Sequence, residues 1–189
     1  MASEREYPVF SISAGSLPWG IRDPLMRLIE KFEPLDFEAA EKAKAWLETS
    51  VSAGKLAFDT HLAFSEDGER LFGFFALDDE EVAVAPEDVP IMVVRKTIAD
   101  PEAATQQAMK LVWIARSRDS DAGFGNELFD HALVLAWEAG GCALMVEPYD
   151  EETEQRLWID HFHLRKPRTG TTGWNHLWYP LGTPNQDFC

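Results

Sequence analysis

The stretch that most constrains this chain is Ser120-Asp121-Ala122-Gly123-Phe124-Gly125-Asn126-Glu127-Leu128. It lies between an apolar, strand-like run from Leu111 to Ala115 and an amphipathic helix pattern that begins near Asn126. A glycine-bearing turn that leaves a strand and opens a helix makes a cradle for phosphate. Glycine lets the backbone approach a ligand, and the unpaired amides of the first helical turn point outward with the positive end of the helix dipole. The same glycines would also serve a tight connection with no ligand. The spacing has neither the lysine and hydroxyl residue of a Walker loop nor the three glycines of a dinucleotide fingerprint, which removes both nucleotide-binding readings.

The residues after the turn extend the unit. Leu128, Phe129, Ala132, Leu133, Ala136 and Ala139 recur at helical spacing, with Glu127, Asp130, His131 and Glu138 largely on the other side. Gly140-Gly141 stops the helix, and Cys142 to Val146 reads as a short buried strand. Strand, turn, helix, strand implies two parallel strands joined by a right-handed crossover.

With this unit in place the chain resembles the GCN5-related N-acetyltransferase (GNAT) superfamily, whose acyl-CoA signature is Gln or Arg, two residues, Gly, one residue, then Gly or Ala. Gly123 and Gly125 match the two small positions, and Ser120 stands where Gln or Arg is expected. Arg116 and Arg118, just upstream, are candidates for the missing positive charge. The likeness covers most of residues 37 to 181 and is nearest in layout to the toxin-type subgroup. A helix with Trp46-Leu47, a strand pair, the aromatic strand Phe72 to Leu77 and the closing Leu177-Trp178-Tyr179-Pro180-Leu181 follow that order.

The resemblance implies an α/β (α+β) fold over a single domain, residues 1 to 189. Its sheet would be mixed and mostly antiparallel, flanked by helices, with two splayed parallel strands at the centre. It further implies acetyl-CoA as cofactor, held by Ile114, Ala115, Arg116, Arg118, Ala122, Gly123, Phe124, Gly125 and Asn126. Backbone amides at Ile114-Ala115 would stabilise the oxyanion while an amine attacks the thioester. Family members commonly protonate the departing thiolate with a tyrosine. Trp158 occupies that position here, and an indole does not give up a proton at neutral pH. The catalytic acid is therefore unassigned, and Asp78, Asp79 and His61 are the weak candidates for a base.

Three functions remain open: an N-acetyltransferase acting on a primary amine of a small molecule or protein, a toxin-type enzyme acetylating aminoacyl-tRNA, or a binding protein that keeps the fold without catalysis. The net charge of −16 argues against a nucleic-acid partner, because so negative a surface repels phosphate backbones. Acidic runs at Glu66-Asp67, Asp78 to Glu81, Glu87-Asp88 and Asp150 to Glu154 read as solvated loops or as a rim attracting a cationic amine. Arg116, Arg118, Arg156, Arg165 and Lys166 are the basic residues available to an anionic cofactor.

At 46% hydrophobic and 12% aromatic the chain can bury a core, and no run approaches the roughly 20 apolar residues of a membrane span. The start of the chain lacks a secretory pattern, which reads as cytoplasmic; a homodimer is left open. Cys142 reads as a buried core residue. His161 and His163 are two apart, but no third ligand sits at a zinc spacing, so no metal is expected. His131 reads as a boundary residue.

The remaining elements follow from periodicity. Strands are expected at Tyr7 to Ser13, Ala57 to Phe64, Arg70 to Leu77, Gln106 to Ala115, Phe162 to Leu164 and Leu177 to Tyr179. Helices are expected at Asp23 to Phe32, Phe37 to Val51 and Thr153 to Ile159, the last with Leu157 and Trp158 inward. Pro18-Trp19-Gly20 reads as a break and Asp67-Gly68 as a hairpin turn. The acidic, proline-containing stretch from Asp78 to Thr105 reads as a long connector with an added strand or lid at Val89 to Val94.

Overall fold

A computed structural model describes residues 7–82, 106–148, 153–166 and 177–181. The strands are β1 (Val9–Ile12), β2 (Gly15–Ser16), β3 (Lys55–Leu56), β4 (Asp59–Phe64), β5 (Leu71–Val82), β6 (Gln106–Arg116), β7 (Ala143–Val146) and β8 (Leu177–Pro180). The helices are α1 (Trp19–Glu30), α2 (Glu38–Ala53), α3 (Phe124–Glu138) and the single turn α4 (Thr153–Arg156), which runs into a π-helical turn, Leu157–His161. Six strands form one sheet in the order β1-β4-β5-β6-β7-β8. Pairs β1/β4, β4/β5 and β7/β8 are antiparallel, whereas β6/β7 is parallel with Leu111 opposite Val146. A mainly antiparallel sheet with one parallel pair and flanking helices is the expected fold class.

The chain divides into two compact units, Met1–Leu77 with Trp113–Phe129, and Asp78–Val112 with Asp130–Cys189. In the first, α1 and α2 cover the sheet through apolar faces spaced at helical intervals. Leu25 and Ile29 from α1 meet Ala43, Leu47 and Val51 from α2 in one core with Leu62, Leu71, Phe74 and Ala115 of the strands. Gly54 takes the left-handed conformation (φ +71°) that ends α2, and the guanidinium of Arg22 caps the helix by donating to the carbonyls of Val51 and Ser52. The second unit is built on Val82, Ala108, Cys142, Ala143, Met145 and Trp178. Burial pushes the Cys142 thiol up to about 11, in line with the core role expected of it.

Several expectations are corrected. Pro18-Trp19-Gly20 does not break the chain: Pro18 takes the cap position and α1 starts at Trp19, four residues earlier than periodicity predicts. Its Pro24 forfeits only one early backbone bond, which the helix tolerates. The acidic run Asp78 to Glu81 is not connector but the continuation of β5, anchored by buried Val82. Val89 to Val94 lies outside the described residues. Phe162 to Leu164 is not a strand: the π turn ends there, His163 takes φ +59°, and only Arg165 bridges to Trp178. His161 and His163 therefore do not share a strand face. Leu157, expected inward, is 47% exposed, because the π turn rotates it away while Trp158 is buried. No described helix is long and apolar enough to cross a membrane.

Candidate active site

The glycine turn leaves β6 and enters α3 at Phe124, two residues before the start expected from periodicity. Its local geometry follows from short-range bonds. Ser120 N–H donates to Ser117 O (3.3 Å), Phe124 N–H to Asp121 O (3.1 Å), and Asn126 and Glu127 N–H both to Gly123 O (2.8 and 3.3 Å). The amides of Phe124 and Asn126 are thus spent inside the turn. Those of Ala122, Gly123 and Gly125 have no partner in it. Gly123 carries φ +101° with nothing within 4 Å of where a Cβ would stand, so both its conformation and its open face favour glycine.

The Phe124 side chain is core, not site. It is 2% exposed and meets Phe72 and Tyr7 edge-on, with ring centroids 6.3 and 4.4 Å apart. Behind it Gly73 of β5 allows a close approach: a Cβ there would lie 2.7 Å from Leu128 Cδ1, 2.9 Å from Ala115 O and 2.9 Å from Phe124 Cε1. One glycine on β5 thereby sets how closely the end of β6 and the start of α3 pack.

The end of β6 alternates its main chain between two edges. Ser117 N–H donates to Phe72 O (2.7 Å) on the β5 side, whereas Arg116 O accepts from Leu35 N–H (3.1 Å) and Arg118 N–H donates to Glu33 O (2.9 Å) on the other. By that alternation Ala115 faces β5 and Ile114 the opposite edge. Of the two proposed oxyanion donors, Ile114 is the one whose N–H points away from β5. The parallel pairing ends at Leu111 opposite Val146, the last residue of β7, while β6 runs on to Arg116.

The two arginines separate clearly. Arg116 Nη1 reaches Ser120 Oγ (3.2 Å), and its Cδ lies 3.4 Å from where a Gly125 Cβ would be, so its guanidinium stem runs along the turn. Arg118 instead donates through Nε to Pro34 O (2.9 Å) on the α1–α2 linker. Ser120, 9% exposed, donates to Ser117 O (2.7 Å) and closes the turn from within. A strand arginine thus stands beside the position where the family signature has a loop Gln or Arg. Sequence reading named both arginines and had no means of choosing. It also passed over Tyr7, whose hydroxyl donates to Asp121 Oδ2 (2.8 Å) across 114 positions of sequence.

The weak candidates fall elsewhere. His61, named as a candidate base, is only 8% exposed; its Nδ1 shares a hydrogen bond with Ser11 Oγ (2.8 Å) and its ring stacks on Phe75 at 4.7 Å. Asp78 and Asp79 are exposed on the extension of β5 and belong to the second unit. Trp158, also there, is 7% exposed, with its ring 5.1 Å from Phe162 and its carbonyl accepting from Leu164 N–H. Arg156, Arg165 and Lys166 are exposed in that unit.

Comparison with known proteins adds a fold. No family model matches the chain, and no curated protein does. Among solved structures, a tyrosine-to-phenylalanine mutant of KacT is 16% identical, with 93% of this chain and 96% of that one covered and a TM-score of 0.59. AtaT complexed with acetyl-methionyl-tRNAfMet is 14% identical over 92% and 95%, with a TM-score of 0.58. A mutant AtaT toxin bound to the C-terminus of the antitoxin AtaR and acetyl-CoA is 15% identical over 94% of both chains, with a TM-score of 0.56. At these identities the likeness shows architecture alone: the chain shares the fold of the KacT and AtaT structures, a mixed, mainly antiparallel sheet with flanking helices, consistent with the fold class expected from sequence.

Proposed function

We propose that this chain is an acetyl-CoA-dependent N-acetyltransferase acting on a primary amine of a small molecule or protein. The observation that carries the reading is the set of three unpaired amides, Ala122, Gly123 and Gly125, in a turn that opens a 15-residue helix beside Arg116. Such a turn suits the diphosphate of coenzyme A, through main-chain donors and the positive end of the helix dipole. The open face of Gly123 fits that group, and the solved AtaT complex with acetyl-CoA supports it.

Acetyl-CoA supplies the thioester. The amine nitrogen attacks its carbonyl carbon, the C–N bond forms, the C–S bond breaks, and coenzyme A leaves as a thiolate. In this reading the Ile114 amide donates to the carbonyl oxygen as negative charge develops on it. The excess amine proton passes to water, and water protonates the thiolate, since Trp158 has no acidic proton to give. Without a positioned acid the transfer is slower, by about the 10²–10⁴-fold that such catalysis contributes.

Acetylation of aminoacyl-tRNA is the second reading. The likeness to AtaT solved with acetyl-methionyl-tRNAfMet favours it, and the net charge of −16 opposes it. Thiol release from acetyl-CoA, measured with a panel of amines, proteins and charged tRNA, separates the two. If none of the acceptors brings about thiol release while acetyl-CoA still binds, a non-catalytic binding protein is left.

A further inference from the structure

β1 is an outer strand of the six-stranded sheet, paired with β4 on one side only among the described residues. Phe64 N–H donates to Pro8 O (3.0 Å), and the register sets Phe10 opposite Leu62 and Ile12 opposite Thr60. In an antiparallel pair the N–H and C=O of one residue point the same way, and successive residues alternate. Pro8, Phe10 and Ile12 therefore face β4, while the N–H and C=O groups of Val9 and Ser11 face outward. Pro8 lacks its N–H on the inner side and so does nothing to blunt the outer edge. Sheet edges are ordinarily guarded by charged side chains, prolines or bulges. Residues 7 to 13 carry no charge in a chain whose net charge is −16, and Phe10 is 52% exposed.

A groove of about 400 Å³ opens at the start of this edge. Its apolar lining is Pro8, Val9, Phe10, Leu28 and Phe64, and the charged residues that line it, Glu66 and Asp67 of the β4–β5 turn, are both acids. The cation of the same turn, Arg70, lies instead over the Phe72 ring at 5.1 Å.

We propose that the β1 edge and this groove together are a docking surface for an extended, basic segment of a partner protein, which adds to the sheet as a further strand. Its main chain takes the outward N–H and C=O groups of Val9 and Ser11. One of its apolar side chains enters the groove, and a Lys or Arg beside it meets Glu66 and Asp67. A strand added to a sheet edge gains affinity from main-chain bonds and specificity from the pockets its side chains fill. The lining acids and the net charge of −16 select a cationic segment over an acidic one and speed its approach. The inference goes beyond the coenzyme A reading and does not depend on it, because none of these residues belongs to the glycine turn.

The test titrates the unaltered chain into a fluorescein-labelled peptide that alternates lysine with valine, read by anisotropy. One companion peptide has glutamate in place of lysine. The other is N-methylated throughout, which keeps the charge and removes every main-chain donor. The lysine peptide should bind saturably, and both companions should bind about tenfold more weakly or worse, as expected when opposite charge or main-chain pairing is lost. Ser11→Pro removes an outward N–H and no main-chain bond to β4, so the strand stays paired. It should weaken the lysine peptide about fivefold or more, the factor that one lost hydrogen bond corresponds to. Glu66→Lys changes an exposed side chain and should weaken the same peptide about fivefold at low salt, with the difference closing as salt is added.

Equal binding of the N-methylated peptide, or no effect of Ser11→Pro on a folded chain, would mean that charge alone attracts the peptide and overturns the inference. No binding of the lysine peptide overturns it as well. Sedimentation of the unaltered chain and of Ser11→Pro checks the other occupant: a dimer that the substitution turns into a monomer gives the edge to a second copy and also overturns the inference. None of these outcomes bears on the coenzyme A site, whose failure is read separately by titration with acetyl-CoA.

Discussion

Replacing Gly73 with alanine tests how the site is held together. The new Cβ would meet Leu128 Cδ1 at 2.7 Å, Ala115 O at 2.9 Å and Phe124 Cε1 at 2.9 Å, all closer than carbon atoms are tolerated. The leucine methyl can rotate, but the Ala115 carbonyl belongs to β6 and the Phe124 ring is packed in the core. The strand or the start of α3 must therefore shift. Overpacking of this kind costs about 2 kcal/mol. Lower entropy of the unfolded chain returns about 0.5 kcal/mol. The net loss of about 1.5 kcal/mol corresponds to a fall in Tm of about 3–6 °C for a chain of this size.

Thermal unfolding followed by circular dichroism measures that fall, and coenzyme A affinity should drop with it because both ends of the turn move. Gly125→Ala is the control. Its Cβ would lie 3.4 Å from Arg116 Cδ, an ordinary contact, so stability should hold or rise by up to about 1 kcal/mol while the methyl crowds the anion site. If Gly73→Ala melted at or above the unaltered protein, the close approach of β5, β6 and α3 inferred here would be wrong.

Other expectations follow from single contacts. Arg116→Ala should weaken coenzyme A binding and flatten its salt dependence, whereas Arg118→Ala, which loses the bond to Pro34 O, should affect affinity far less; equal effects would undo the distinction. Arg22→Ala should cost about 1 kcal/mol by uncapping α2, read as a lower urea midpoint. At the β4–β5 turn, bonds from Ser65 Oγ and then Glu69 N–H hold the Asp67 carboxyl below its ordinary 3.8. A lowered value in the folded state means that its contribution is complete above the unfolded pKa and lost as pH falls through the folded one. The Tm difference between the unaltered chain and Asp67→Asn should accordingly shrink on acidification, and a constant difference would contradict this. With Cys189 replaced by serine, the folded chain should resist thiol reagents at neutral pH, since Cys142 is buried with its thiol raised to about 11.

The parts legible in the sequence were those governed by short-range pattern. Periodicity located α2 and α3, the glycines marked the turn and the end of α3, and Asp67-Gly68 placed the β4–β5 hairpin, with Gly68 at φ +70°. Patterns that contradicted local propensity were missed. Four acids in a row do not look like a strand, yet β5 runs through them because its pairing and buried Val82 outweigh propensity. Phe162-His163-Leu164 alternates like a strand, but the left-handed backbone at His163 turns the chain instead.

In the candidate site, the sequence located the turn but not its wiring. Nothing local distinguishes Arg116, the last residue of β6, from Arg118 two positions beyond it. Only the fold brings Pro34 to the second and Ser120 with Gly125 to the first. Tyr7 was invisible for the same reason, since its partner lies 114 residues away.

The central claim is that the unpaired amides of Ala122, Gly123 and Gly125 hold a diphosphate, and calorimetric titration of acetyl-CoA into the unaltered chain tests it most directly. The account predicts saturable, salt-sensitive binding at one site per chain, competed by coenzyme A. No heat of binding at millimolar ligand would contradict it.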